Sequence, residues 1–121
     1  MPTPKHIPGQ IDYIELTVGD PAAAKRFYGQ AFGWRFTDYG PEYVGIQGAG
    51  REVGGFRRGT AAPAPAGAPL VLLFSADLDA TLAAVRAAGG RILKEPFPFP
   101  GGRRFHFVDP SGNELAVWAE R

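Results

Sequence analysis

One segment of the chain largely alternates apolar and polar residues, a second is a short apolar run, and each gives way to an apolar stripe with the period of a helix. Ile11 to Val18 (IDYIELTV) and Leu70 to Ser75 (LVLLFS) read as strands, because successive side chains on a strand face opposite sides of its sheet. After the first, Asp20 and Pro21 open a helical pattern in which Ala24, Phe27, Tyr28 and Ala31 recur at i, i+3, i+4 and i+7 before Gly33 stops it. After the second, Asp77 opens a similar pattern with Leu78, Leu82 and Val85 on one face, stopped at Gly90. An Asp carboxylate accepts hydrogen bonds from the orphan amides of a first helical turn, and Pro presets φ at the first helical position. The two Asp residues are 57 residues apart, as are the two Gly residues, so the chain carries a weak internal repeat.

Three shorter strand candidates follow each helix: Trp34 to Asp38, Tyr43 to Gln47 and Glu52 to Arg57, then Arg91 to Lys94, Arg103 to Val108 and Glu114 to Ala119. The order is therefore βαβββ twice, an α+β chain. Asp109-Pro-Ser-Gly-Asn113 reads as a hairpin turn, with Pro110 where φ near −65° is wanted and Gly112 free to take positive φ. Ala61 to Pro69 (AAPAPAGAP) is too rich in Pro for a sheet interior and reads as an extended connector. The expected organisation is a single domain over 1–121, with module one about 11–58, the connector 59–69 and module two about 70–119. Gly101-Gly102, after Phe97-Pro-Phe-Pro100, read either as a flap over a cleft or as a loop that buries two Phe rings.

Composition narrows the function. A chain of 121 residues with 45% hydrophobic and 21% charged content can bury one core. Thirteen basic residues stand against twelve acidic ones without a basic stripe, so nucleic acid is not an expected partner. The absence of Cys removes disulfides, thiolate nucleophiles and sulfur-ligated zinc, leaving His and carboxylates as the means to hold a metal. No apolar run approaches the roughly 20 residues that span a bilayer, so no membrane partner is expected. The opening MPTPKHIPGQ lacks the apolar stretch of a secretory signal, and the expected location is cytoplasmic.

The order IELTVGDPAAAKRFYGQAFGW, DLDATLAAVRAAGG, FHFVDPSGNELAVW resembles the vicinal oxygen chelate superfamily, which includes glyoxalase I, bleomycin-resistance proteins and extradiol dioxygenases. The resemblance runs from Ile11 to Ala119. It implies two βαβββ modules forming a curled, cup-shaped mixed sheet with helices outside, often in a homodimer. It also implies a divalent metal held by one inward residue on the first and last strand of each module. Here those positions fall on Tyr13, on Leu70, on Ala116 and near Gly54, and none carries a usual ligand side chain. No metal or other cofactor is expected; the alternative is a rearranged metal set that includes Glu15 and His106.

Strand alternation then fills the cup. With Tyr13 inward, Glu15 and Thr17 follow it, leaving Ile14, Leu16 and Val18 beneath the helix. In the second half Leu70, Leu72 and Phe74 point to the cleft, with Arg104, His106, Glu114, Ala116 and Trp118 opposite them, and the repeat adds Phe56 to the lining. An apolar, aromatic pocket with a few polar groups suits a small-molecule ligand. Glu15, inside an otherwise apolar strand, calls for a cation such as Arg104 or serves as a general base. His106 reads as an acid or base, or as a hydrogen-bonded lining residue. Arg104 suits a bidentate carboxylate, and Tyr13 and Trp118 suit either a planar ligand or plain packing. Arg103 is expected to face solvent or a partner subunit, and His6 to be incidental. Three functions remain open: metal-independent binding of an aromatic or amphipathic ligand; a glyoxalase-like lyase or isomerase that uses Glu15 and His106 as its catalytic pair; and a structural or regulatory domain whose cleft is filled core.

Overall fold

Both helices start where a capping Asp meets the first apolar stripe. The computed structural model describes residues 6–60 and 68–121, and most of the Pro-rich connector lies outside them. The first module runs β1 (Ile14–Val18), α1 (Pro21–Phe32), β2 (Arg35–Asp38), β3 (Tyr43–Gln47) and β4 (Glu52–Arg58). The second runs β5 (Val71–Phe74), α2 (Leu78–Ala87), β6 (Arg91–Phe99), β7 (Gly102–Val108) and β8 (Glu114–Ala119). Asp20 accepts hydrogen bonds from the amides of Ala22 and Ala23, and Asp77 from that of Ala80.

The helix ends differ from each other. α1 stops at Gly33 in the left-handed region, at φ 71°, as its position predicts. α2 is capped by Ala88, and Gly89 rather than Gly90 takes the positive φ, at 100°. Gly90 has a packing role instead: a Cβ there would come within 2.7 Å of Val85 and 2.9 Å of the Phe27 ring.

Each module forms its own four-stranded mixed sheet, in the order β1-β4-β3-β2 and β5-β8-β7-β6, with the first and last strands of each module parallel. β6 is longer than the alternation predicts, because it continues through Pro96 and Pro98 to Phe99. Its edge position makes that possible: a proline without an N–H fits a strand that pairs on one side only. Phe99 pairs with Gly102, so the Phe97–Pro100 segment is one arm of a hairpin and not a free flap.

One core serves both modules. Tyr28 stacks on Trp34 at 4.5 Å and on Phe56 at 5.4 Å. Its neighbour Phe27 reaches Phe107 of β7 at 6.0 Å, and α1 packs against α2. The two modules thus meet through their helix-covered sides. The β7–β8 hairpin adds polar links, since Tyr28 donates a 2.9 Å hydrogen bond to buried Asp109 and Asn113 donates to the Thr17 carbonyl. A cavity of about 300 Å³ lies in this junction, lined by apolar residues that include Ile14, Leu16, Trp34, Val71 and Leu73. Among the described residues no helix is long and apolar enough to cross a membrane.

Candidate functional site

Each sheet keeps one face free of its helix, and the candidate residues fall on these two open faces. In module one the parallel pairing sets Glu15 beside Gly55 and Thr17 beside Arg57. Gly45 and Gly55 pair across β3 and β4 and form a floor without side chains. A Cβ on Gly55 would overlap the Tyr43 hydroxyl, and one on Gly45 would overlap the Glu52 carboxylate. Those two groups therefore lie flat across the sheet and knit a phenol–carboxylate network. The Tyr13 and Tyr43 hydroxyls share a 2.6 Å hydrogen bond, Tyr13 and Tyr39 donate to Glu52 at 3.0 and 2.7 Å, and Tyr43 donates to Glu15 at 3.1 Å. Partial burial, and after it the bonds to Tyr43 and Glu52, raise the Tyr13 phenol well above the ordinary range, so it is held as a proton donor. Arg57 completes the set, 3.4 Å from Glu15 and donating to Thr17 at 3.2 Å.

The open face of module two is aromatic and cationic. Leu72 pairs with Ala116 and Phe74 with Trp118 across β5 and β8; Arg104 and His106 of β7 pair with Trp118 and Ala116 on the other side of β8. Leu72 is 40% exposed and Phe74 58%, which leaves an apolar strip open to solvent. Phe74 and Phe99 both meet Trp118 edge-on, at 5.0 and 6.2 Å. The Arg104 guanidinium lies 5.2 Å from the Phe97 ring centre and 5.5 Å from that of Phe99. His106 is only 3% exposed, with Nδ1 2.9 Å from Glu114. A carboxylate only accepts, so that bond places the ring proton on Nδ1 and leaves Nε2 an acceptor in the neutral ring.

Several expectations need correction. Phe56 does not line the open face: it is 0% exposed and packs with Tyr28, Trp34 and Phe36 beneath α1. The reason is register. Phe56 pairs with Leu16, as Val117 pairs with Leu73, and a shift by one residue turns a side chain to the other side of the sheet. The same shift makes Gly55, not Gly54, the counterpart of Ala116, because Gly54 pairs with Ile14 on the helix side. Glu15 finds Tyr43 and Arg57 rather than Arg104. His106 is paired with Glu114, and Glu15 belongs to the other sheet. Leu70, Leu72 and Phe74 stand beside Trp118 and Ala116 in one sheet, not across a cleft from them, with Leu70 immediately preceding β5. His6 is not idle, since its Nδ1 lies 2.6 Å from Asp12, a bond that lowers the Asp12 carboxyl below its ordinary range. Arg103, by contrast, is on the surface as expected, reaching exposed Asp79 and the Arg121 carbonyl.

The residues that alternation missed are Tyr39, Tyr43, Glu52 and Arg57. The repeat contained a signal for two of them: Tyr43 pairs with Arg57 as Arg104 pairs with Trp118. Among the described residues, no hydrogen bond, ion pair or aromatic contact joins one open face to the other.

A family of this resemblance would hold a metal through Tyr13, Gly55, Leu70 and Ala116. These residues do not fit one: Gly, Leu and Ala offer no side-chain donor, and the Tyr13 hydroxyl is engaged with Glu52. Among the described residues, no cluster of three or more His, Asp or Glu side chains replaces them.

Comparison with known proteins places this geometry. The fold superposes with a TM-score of 0.76 on a glyoxalase-related enzyme from Fulvimarina pelagi, at 25% identity over 92% of this chain and 88% of that one. It superposes at 0.78 on a glyoxalase/bleomycin resistance protein/dioxygenase family enzyme from Burkholderia phytofirmans PsJN, at 18% identity over 93% of this chain and all of the other. In sequence it is 28% identical over 118 residues to the Mycobacterium bovis protein named "Putative glyoxylase CFP32". That match takes in 91% of this chain but 45% of the mycobacterial protein, so the chain spans about half the length of the curated relatives it matches. The family model matches residues 10–117, and the chain belongs to the Glyoxalase/Bleomycin resistance protein/Dioxygenase superfamily.

Proposed function

We propose that the protein binds a small planar or amphipathic organic molecule on its open faces, without a divalent metal, and works as a cytoplasmic homodimer. The observation that carries this reading is the chemistry of the four family metal positions, Tyr13, Gly55, Leu70 and Ala116, on faces that otherwise carry phenol, carboxylate, aromatic and cationic side chains. Exposed Leu72 and Phe74 beside Trp118 give one apolar wall, and the Tyr13–Tyr43–Glu52 network gives a polar one. Among the described residues no hydrogen bond, ion pair or aromatic contact joins the two walls within one chain, and an apolar strip of this kind is normally covered. A second copy, offering its phenol–carboxylate face to the aromatic and cationic face of the first, would close the cleft. The exposure of the strip also speaks against a cleft filled by its own core.

A second reading, proton transfer to or from a bound compound, draws on the His106–Glu114 pair, whose geometry orients an imidazole as a base. The glyoxalase-like chemistry that relatives' names suggest would have to run through that pair and not through the usual metal.

Both parts of the main reading can be tested on one sample kept in EDTA. Light scattering is expected to return twice the chain mass, and a thermal-shift screen of small aromatic and amphipathic compounds to return stabilising ligands whose effect is lost in Trp118→Ala. A monomer would remove the dimeric cleft. Stabilisation that appears only after divalent ions are added would remove the metal-free site.

A further inference from the structure

Two buried nitrogens on the open face of module two have no hydrogen-bond partner: Arg104 Nε and His106 Nε2. Buried polar atoms in folded proteins are nearly always paired, so two orphans on one strand call for a missing partner. They sit two positions apart on β7, on the same face, and both side chains lie against the Phe97 ring, with His106 5.7 Å from it. Among the described residues Arg104 forms no salt bridge and no side-chain hydrogen bond, which leaves a cation without an anionic partner over two aromatic rings.

We propose that this is a seat for an aromatic hydroxy acid. The inference rests on the small-molecule reading above and names the ligand class. The guanidinium takes the carboxylate through Nε and a neighbouring N–H. His106 Nε2, left an acceptor by the bond from Nδ1 to Glu114, takes the hydroxyl proton in a hydrogen bond. The Glu114 carboxylate repels an anion from the His106 end, which fixes the direction of the ligand. Residues two apart on a strand are separated by about 6.6 Å, at roughly 3.3 Å per residue. A single benzene ring with its two groups para is the simplest rigid frame that presents a carboxylate at one such position and a hydroxyl at the next. Phe97, Phe99 and Trp118 offer rings and edges for the planar part, and Phe97, which lies against both side chains, must shift for the ligand to reach Arg104 Nε and His106 Nε2, since both atoms are buried.

The probes are 4-hydroxybenzoate, 4-hydroxybenzamide and benzoate, titrated calorimetrically into the full chain and into Arg104→Gln. 4-Hydroxybenzoate is expected to bind at least about tenfold more tightly than either analogue, since each analogue lacks one charge-assisted or buried hydrogen bond. In Arg104→Gln, with its melting curve as the check on folding, the acid is expected to lose its margin over the amide. Equal binding of acid and amide to the unaltered chain, or a margin that survives in Arg104→Gln, overturns the proposal. So does failure of 4-hydroxybenzoate to bind. If the thermal-shift screen still yields a metal-independent ligand in that case, only the ligand class falls and the wider reading stands.

Discussion

Phe56→Ala is expected to lower the unfolding free energy by about 3–5 kcal/mol, the range for truncating a large aromatic residue in a packed core. Phe56 is fully buried, stacks on Tyr28 and lies near Trp34 and Phe36, so the cavity left behind would be walled by rings that cannot all relax into it. A lining residue would give a different result: weaker ligand binding and an unchanged melting temperature. Urea denaturation of Phe56→Ala, compared with Trp118→Ala, separates the two roles. A Phe56→Ala protein as stable as the parent would place the ring on the open face after all.

The second large effect belongs to Asp109. Its carboxylate accepts from the amides of Ser111 and Asn113 at 2.9 Å, from the Asn113 side chain at 3.2 Å and from the Tyr28 hydroxyl at 2.9 Å. It thus shapes the β7–β8 turn and ties that turn to α1 of the other module. Asp109→Ala removes all four bonds and leaves the Tyr28 hydroxyl buried without an acceptor, an expected loss of about 3–5 kcal/mol. Tyr28→Phe removes only the Tyr28–Asp109 bond and is expected to cost about 1–2 kcal/mol. Equal losses for the two variants, measured by denaturant unfolding, would mean that the turn itself contributes nothing.

These two residues also show what could be read from the chain. Asp109 was legible as a turn residue because Asp-Pro-Ser-Gly-Asn specifies a local backbone path; its bond to Tyr28 spans 81 positions and had no local signal. The helix starts were equally local, and Asp20 and Asp77 cap as their positions imply. The end of α2 was not, since Gly89 and Gly90 are the same residue type and only packing against Phe27 assigns them different tasks. Phe56 failed for a reason of register: the repeat placed it in the lining, but which face of β4 it shares with Leu16 depended on a parallel pairing between strands far apart in sequence. For the candidate site, alternation set Glu15 and Thr17 on one face of β1, Leu72 and Phe74 on one face of β5, and Arg104 and His106 on one face of β7, but it placed Leu72 and Phe74 opposite Arg104, His106 and Trp118 when they stand beside them in one sheet. It could not reveal that these are the open faces of two separate sheets, because modules joined through their helices leave no trace of that choice in strand periodicity.

The claim that the family metal positions here hold no cation is tested most directly by metal content. The full chain, incubated with an excess of Mn²⁺, Fe²⁺, Ni²⁺ or Zn²⁺ and passed through gel filtration, is to be analysed by inductively coupled plasma mass spectrometry. Divalent metal far below one per chain is the predicted result, because three of the four positions, Gly55, Leu70 and Ala116, have no donor atom in their side chains. One tightly held ion per chain, lost together with ligand binding when Tyr13 is replaced by Phe, would contradict it.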